Sequence, residues 1–126
     1  MNNYLTQAQT LYALSRKELN NAKHQNHNEL ARDGAGKGWI ATTDALRGFL
    51  LSQGLKEKEL PKSERQRHDL LIQYGNEKMR LLYYYVRGEL HENCYYEGMV
   101  NYSGLFEALD KVKRFIHLCQ NGNSHS

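Results

Sequence analysis

Residues 76–98, Asn76 to Gly98, read NEKMRLLYYYVRGELHENCYYEG, and this stretch sets the fold class. Met79, Tyr83, Val86 and Leu90 recur at steps of three and four, which lays them along one face of an α-helix. The helix begins apolar and aromatic and ends in a polar corner holding Arg87, His91, Cys94 and the pair Tyr95-Tyr96. Arg87 and His91 stand four apart, so a helix carries them as neighbours on one side. Such a pair can handle phosphate esters. The guanidinium offsets charge on a phosphorane, and an imidazole near neutral pH exchanges a proton with a ribose 2′-hydroxyl. The plainer reading pairs Arg87 with Glu89, Glu92 or a neighbouring helix and leaves His91 hydrogen-bonded near the helix end.

Outward from this stretch, the same periodicity predicts a first helix over 3–23, with Leu5, Ala8, Tyr12, Ser15, Leu19 and Ala22 on its core stripe. A polar connection, 24–28, leads to a second helix over 28–53. Along it Ala31, Gly34, Gly38, Ala41, Ala45 and Gly48 form a seam of small residues, with bulk from Leu30, Ile40, Phe49 and Leu50. Each glycine inside a helix costs about 1 kcal/mol relative to alanine. The seam therefore implies close approach of a neighbouring backbone, with Trp39 filling the flank, and this helix is expected at the centre. Gly54 suits its C-terminal cap. Residues 55–62 alternate in charge, carry the only proline and read as a loop. Ser63 and Gln66 fit a capping box opening a short third helix that ends at Tyr74 before Gly75. After Gly98, a turn over 99–103 leads to a last helix with Leu105, Leu109, Val112, Ile116 and Cys119 on its stripe, ending before Asn121-Gly122. The expected architecture is all-α: a five-helix up-and-down antiparallel bundle in one domain over 1–120, with a polar, disordered tail over 121–126.

A chain of 126 residues, 40% hydrophobic and 25% charged, can bury a core without staples. Its formal charge of +3 permits an anionic partner without requiring one. The longest apolar run, 81–86, is too short to span a membrane. Two cysteines, Cys94 and Cys119, and no signal-like start point to a cytoplasmic protein with reduced thiols.

Asp33-Gly34-Ala35-Gly36-Lys37-Gly38 has the look of a phosphate-binding loop. However, Lys37 is followed by Gly38 rather than serine or threonine, no strand precedes it, and the small-residue period runs straight through. Helix packing is the preferred reading. His24 with His27, His91 with Cys94, and His117 near Cys119 do not assemble the two tight pairs of a structural zinc site, so neither a metal nor a cofactor is expected. Tyr83-Tyr84-Tyr85 must point three ways, one of them into the core. Tyr84, Tyr85, Tyr95 and Tyr96 are the candidate interface residues, with base stacking as the alternative use. Lys56, Lys58, Lys62, Arg65 and Arg67 interleave with Glu57, Glu59 and Glu64 and read as a solvated face.

The pattern ELARDGAGKGWIATTDALRGFLLSQG, followed by LHENCYYEG and LFEALDKVKRFI, resembles small HEPN-like helical proteins. In particular it is similar to a bacterial family of unknown function grouped with them, in which Leu-His, Tyr-Tyr and a glycine close the fourth helix. The resemblance spans about Tyr4 to Leu118, and its specific parts are Leu90-His91, Tyr95-Tyr96 and Gly98. It implies a five-helix bundle, often dimeric. Many HEPN proteins are metal-independent ribonucleases or partners of a minimal nucleotidyltransferase. The ribonucleases carry an arginine with a polar residue directly after it, then four to six intervening residues, then a histidine. Arg87 and His91 are the matching positions, with three residues between them and Gly88 after the arginine. The function expected first is a non-catalytic bundle acting through protein contacts, as a homodimer joined by its tyrosine-rich fourth helix. The alternative is a ribonuclease with Arg87 stabilising the transition state and His91 as general acid or base across a dimer cleft. A third reading binds RNA through arginine and tyrosine without cutting it.

Overall fold

A computed structural model describes residues 2–122, and among these every regular element is helical. Helix α1 spans Asn3–Gln25 and α2 spans Asn28–Ser52. After a 3₁₀ turn at Glu57–Glu59 come α3, Glu64–Tyr74, and α4, Glu77–Val86. The latter runs without a break into a π-helix, Arg87–Tyr96, and α5 spans Tyr102–Gln120. Side-chain caps start the helices: Asn2, Ser63, Asn76 and Asn101 each accept from a backbone N–H three residues on. His27 does the same for α2, accepting from Leu30. The box at Ser63 is one residue out of register, because the Gln66 side chain accepts from the Lys62 N–H and not from that of Ser63. Gly54, at φ +102°, follows α2 in a conformation that favours glycine.

Contacts fix the helix directions. Gly34 meets Leu19, Gly38 meets Ser15 and Gly48 meets Leu5, so α1 and α2 are antiparallel. The fourth helix returns along α2, with Leu90 against Gly38 and Tyr95 against Gly36. In turn α5 runs back along it, with Glu89 beside Gly104 and Tyr83 beside Phe115. The four long helices thus alternate. Helix α3 departs from the expected up-and-down order. Glu64 meets Arg87 and Arg67 meets Tyr83, so α3 opposes α4 and runs in the same sense as α2. The connection over 53–63 is long enough to bring the chain back along α2 to the level of Trp39, where Arg67 lies over the indole at 5.8 Å. Its Leu60 and Pro61 are buried, so it is packed and not a free loop.

Helix α2 is central. Between residues 31 and 50 only Asp33 and Ile40 are exposed. The seam of small residues accounts for this: a Cβ on Gly38 would lie 2.9 Å from Leu90 and from Ser15, and one on Gly48 would lie 2.6 Å from Leu5. Ser15 donates to the Gly34 carbonyl at 2.6 Å, satisfying a buried hydroxyl inside that contact. The stretch resembling a phosphate loop lies wholly within α2. Ile40, expected to add bulk to the core, points outward instead, and Trp39 beside it takes the inner position. At the chain's end, Asn121 closes α5 and Gly122 packs against Phe49, where a Cβ would be 2.3 Å from the ring. Those two residues are part of the bundle; the remainder of the expected tail lies outside the described residues.

Candidate functional site

The polar corner is built by the change from α to π winding. The periodicity predicts an ordinary α-helix through residue 96, and the buried positions Val86, Leu90 and Cys94 do face the core as expected. A π-helix bonds each N–H to the carbonyl five residues back, so residues five apart come into line. Arg87 and Glu92 are such a pair, with Nη1 3.0 Å from Oε2. The segment closes through Glu97 N–H to Glu92 O at 3.1 Å and Met99 N–H to Asn93 O at 2.8 Å, with Gly98 at φ +69°. Arg32 of α2 stoppers it. Its Nε and Nη2 donate to the Tyr95 carbonyl at 3.0 and 2.7 Å, and Nη2 also reaches that of Tyr96 at 3.2 Å.

Arg87 faces two carboxylates. Besides Glu92, its Nε lies 3.1 Å from Glu64 Oε1 of α3, a charge contact made without a hydrogen bond. Glu64 is shared further: the Tyr83 hydroxyl donates to it at 2.6 Å, and Arg67 Nε donates to that hydroxyl at 2.9 Å. Burial first, and then the Glu64 carboxylate, push the Tyr83 phenol far above its usual range, so it remains a donor. Arg67, expected in a solvated face, belongs to this network instead. Two guanidinium and two carboxylate groups leave the corner close to neutral.

His91 sits within aromatic rings. Its imidazole stacks on Trp39 with centroids 4.9 Å apart and planes 23° from parallel. Tyr95 lies parallel to it within 8° at 6.4 Å, and Tyr96 meets it edge-on at 4.8 Å. Burial, and then the positive charge of Arg87, hold its pKa below the usual 6.5, so the ring is neutral at pH 7. Arg87 and His91 therefore share one corner, as their spacing predicts, but the guanidinium is engaged by carboxylates and the imidazole is stacked.

Of the candidate interface tyrosines, Tyr96 is 64% exposed, Tyr95 42% and Tyr84 36%, the last with its hydroxyl on the His68 ring. Tyr85 is elsewhere. It packs beside α5, with the Lys111 ammonium 4.8 Å from its ring centre. Beside Tyr95 and Tyr96 is a hollow of about 340 Å³ lined by Glu29, Arg32 and Asp33. Ile40, also exposed, stands one turn beyond Gly36, against which Tyr95 packs.

Two histidines and both cysteines outside the Arg87 and His91 pair are engaged or inert. His24 bonds the Asn20 carbonyl and His27 caps α2. Burial pushes the Cys94 thiol up to about 11, and Cys119 is raised by full burial, so neither is a thiolate nucleophile at neutral pH. Among the described residues no three His, Cys, Asp or Glu side chains gather where a metal could sit, and no helix is long and apolar enough to cross a membrane. Trp39, Glu64 and Arg32 are site residues that sequence reading did not assign. Each reaches the corner from a distant element, and no local spacing marks such a contact.

The chain matches no family model, no curated protein and no solved structure. Fold and site together define an all-α bundle whose fourth helix ends in an aromatic, charge-balanced corner.

Proposed function

We propose that this protein is a HEPN-like helical bundle that acts through protein contacts, with its aromatic corner as the docking face and a second copy of the chain as the occupant. One observation carries the reading: Arg87 lies between Glu64 and Glu92 and His91 is stacked on Trp39, while Tyr95 and Tyr96 beside them stand out into solvent. A catalytic pair would offer both groups to a substrate; here the aromatic rings are offered instead. Exposed tyrosines suit an interface, since each brings a large apolar area and a polar end. An isologous contact sets the same patch against itself and needs no second surface on the molecule. The all-helical fold, with Leu90-His91, Tyr95-Tyr96 and Gly98 at the end of its fourth helix, supports the family reading.

The ribonuclease is the second reading. What favours it is the neutral imidazole of His91 in the field of Arg87, the protonation state a general base needs. One set of samples separates the two. Wild type, Arg87→Ala, His91→Ala and Tyr96→Glu are assayed for RNA cleavage in EDTA and for mass in solution. A dimer that Tyr96→Glu converts to a monomer, without cleavage above a mock preparation, supports the contact reading. Cleavage abolished by both alanine substitutions overturns it in favour of the ribonuclease, and a wild type that is monomeric at high concentration removes the second copy as occupant.

A further inference from the structure

The outer face of α5 carries two hollows that the aromatic corner does not involve. The larger, about 500 Å³, is lined by Lys78, Asp110, Lys113, Arg114, His117 and Leu118. Its three cationic side chains come from two helices, Lys78 at the start of α4 and Lys113 and Arg114 on α5. Among the described residues these three make no ion pair. Asp110 is the one carboxylate among its lining residues, and Arg16 of α1 pairs with it at 2.7 Å. The hollow is thus a concave surface of net positive charge, which concentrates an anion more than scattered surface lysines do.

The smaller hollow, about 220 Å³, adjoins it, sharing Lys113 and His117. Its character is different: Tyr12 and Ile116 supply ring and aliphatic surface, and Gln9 an amide that can both donate and accept. A cationic hollow joined to an aromatic and amide-lined one matches a ligand with a phosphate at one end and a flat, hydrogen-bonding ring at the other. We infer that this face of α5 binds a nucleotide unit, its phosphate among Lys78, Lys113 and Arg114 and its base toward Tyr12 and Gln9. The same unit occurs as a free nucleotide and as a link in a single RNA strand.

The test is a fluorescence-anisotropy titration of the full chain with a labelled oligouridylate. It is run over a range of salt, with unlabelled uridine monophosphate, unlabelled oligouridylate and inorganic phosphate as competitors. Lys113→Glu/Arg114→Glu is compared with Lys78→Glu on the other helix, and Arg65→Glu serves as a surface control. All four positions are exposed, and circular dichroism with a thermal midpoint confirms each fold. The expected result is binding that weakens with salt, with a log–log slope of about −0.7 for the single phosphate held among the three cations. The α5 double variant and Lys78→Glu should each lose at least tenfold, with Arg65→Glu little changed. Competition by the monophosphate as well as by the strand assigns the site to free nucleotides, and competition by the strand alone assigns it to RNA. No binding at low salt, equal loss in the Arg65 control, or unchanged binding by the double variant overturns the proposal. Inorganic phosphate competing as well as the monophosphate also overturns it, leaving a simple anion site.

Discussion

The Trp39 indole and the His91 imidazole lie face to face across the interface between α2 and the π-helix, their centroids 4.9 Å apart. Stacked rings contribute about 0.5–1.5 kcal/mol beyond the area they bury. His91→Ala should therefore cost about 1–2 kcal/mol, and His91→Phe, which keeps a flat ring, should retain most of the stability. Urea midpoints of the two variants beside wild type measure this. Equal losses in both would show that the ring nitrogens, and not the stack, hold the corner.

Stability should also depend on pH through this residue. The folded pKa of His91 lies below 6.5, so between the two values the unfolded chain binds more protons than the folded one. The contribution is complete above about pH 6.5 and falls as the solution is acidified through that value toward the folded pKa, where it levels off. His91→Phe should remove this part of the slope between pH 7.5 and 5. Denaturation midpoints across that range decide the matter: identical curves for wild type and variant would mean that His91 titrates alike in both states.

Two glycines of the long helices should respond in opposite senses. A Cβ on Gly38 meets Leu90, Ser15 and Leu109 at 2.9–3.2 Å, whereas one on Gly88 meets nothing within 4 Å. Gly38→Ala should cost about 1–3 kcal/mol by overpacking. Gly88→Ala should stabilise by about 0.5–1 kcal/mol, since a helical glycine is the costlier residue. Thermal midpoints of both variants test the pair together.

Arg32→Gln should loosen the end of the π-helix while leaving α1, α2 and α5 in place. It removes charge-assisted bonds to the Tyr95 and Tyr96 carbonyls, each worth about 1.5–3 kcal/mol. Hydrogen exchange of the amides of Glu97, Gly98 and Met99 should speed up by tenfold or more, with little change at Leu46 or Val112. Uniform acceleration along the chain would instead point to global destabilisation.

The helices and their buried faces were legible because burial repeats at three- and four-residue steps, and the caps at Ser63 and Gly54 because a hydroxyl and a glycine have local reasons to stand there. The close approach at Gly34, Gly38 and Gly48 could be read from the cost of glycine in a helix. Winding could not: Val86, Leu90 and Cys94 face inward in the observed π-helix as they would in an α-helix, so the pattern does not tell one from the other. Nor could the choice between Trp39 and Ile40 be made, since α2 is covered nearly all round and an apolar residue fits either position. Arg87 was expected to find a carboxylate, and Glu92 was among those within reach. Glu64 is a long-range partner delivered by α3, whose direction turns on the packed connection before it. The corner's residues were thus in view, but not what they hold on to.

A helix wound with five-residue hydrogen bonds fits more chain into the same axial length than one wound with four. The segment from Arg87 to Tyr96 therefore stores spare length between two anchored ends, the core contacts of Tyr83 on one side and the Arg32 stopper on the other. Loss of one residue here can be absorbed by rewinding toward α geometry, with both anchors left in place. Along this gene, single-codon deletions should be borne more readily around Gly88 than anywhere in α2.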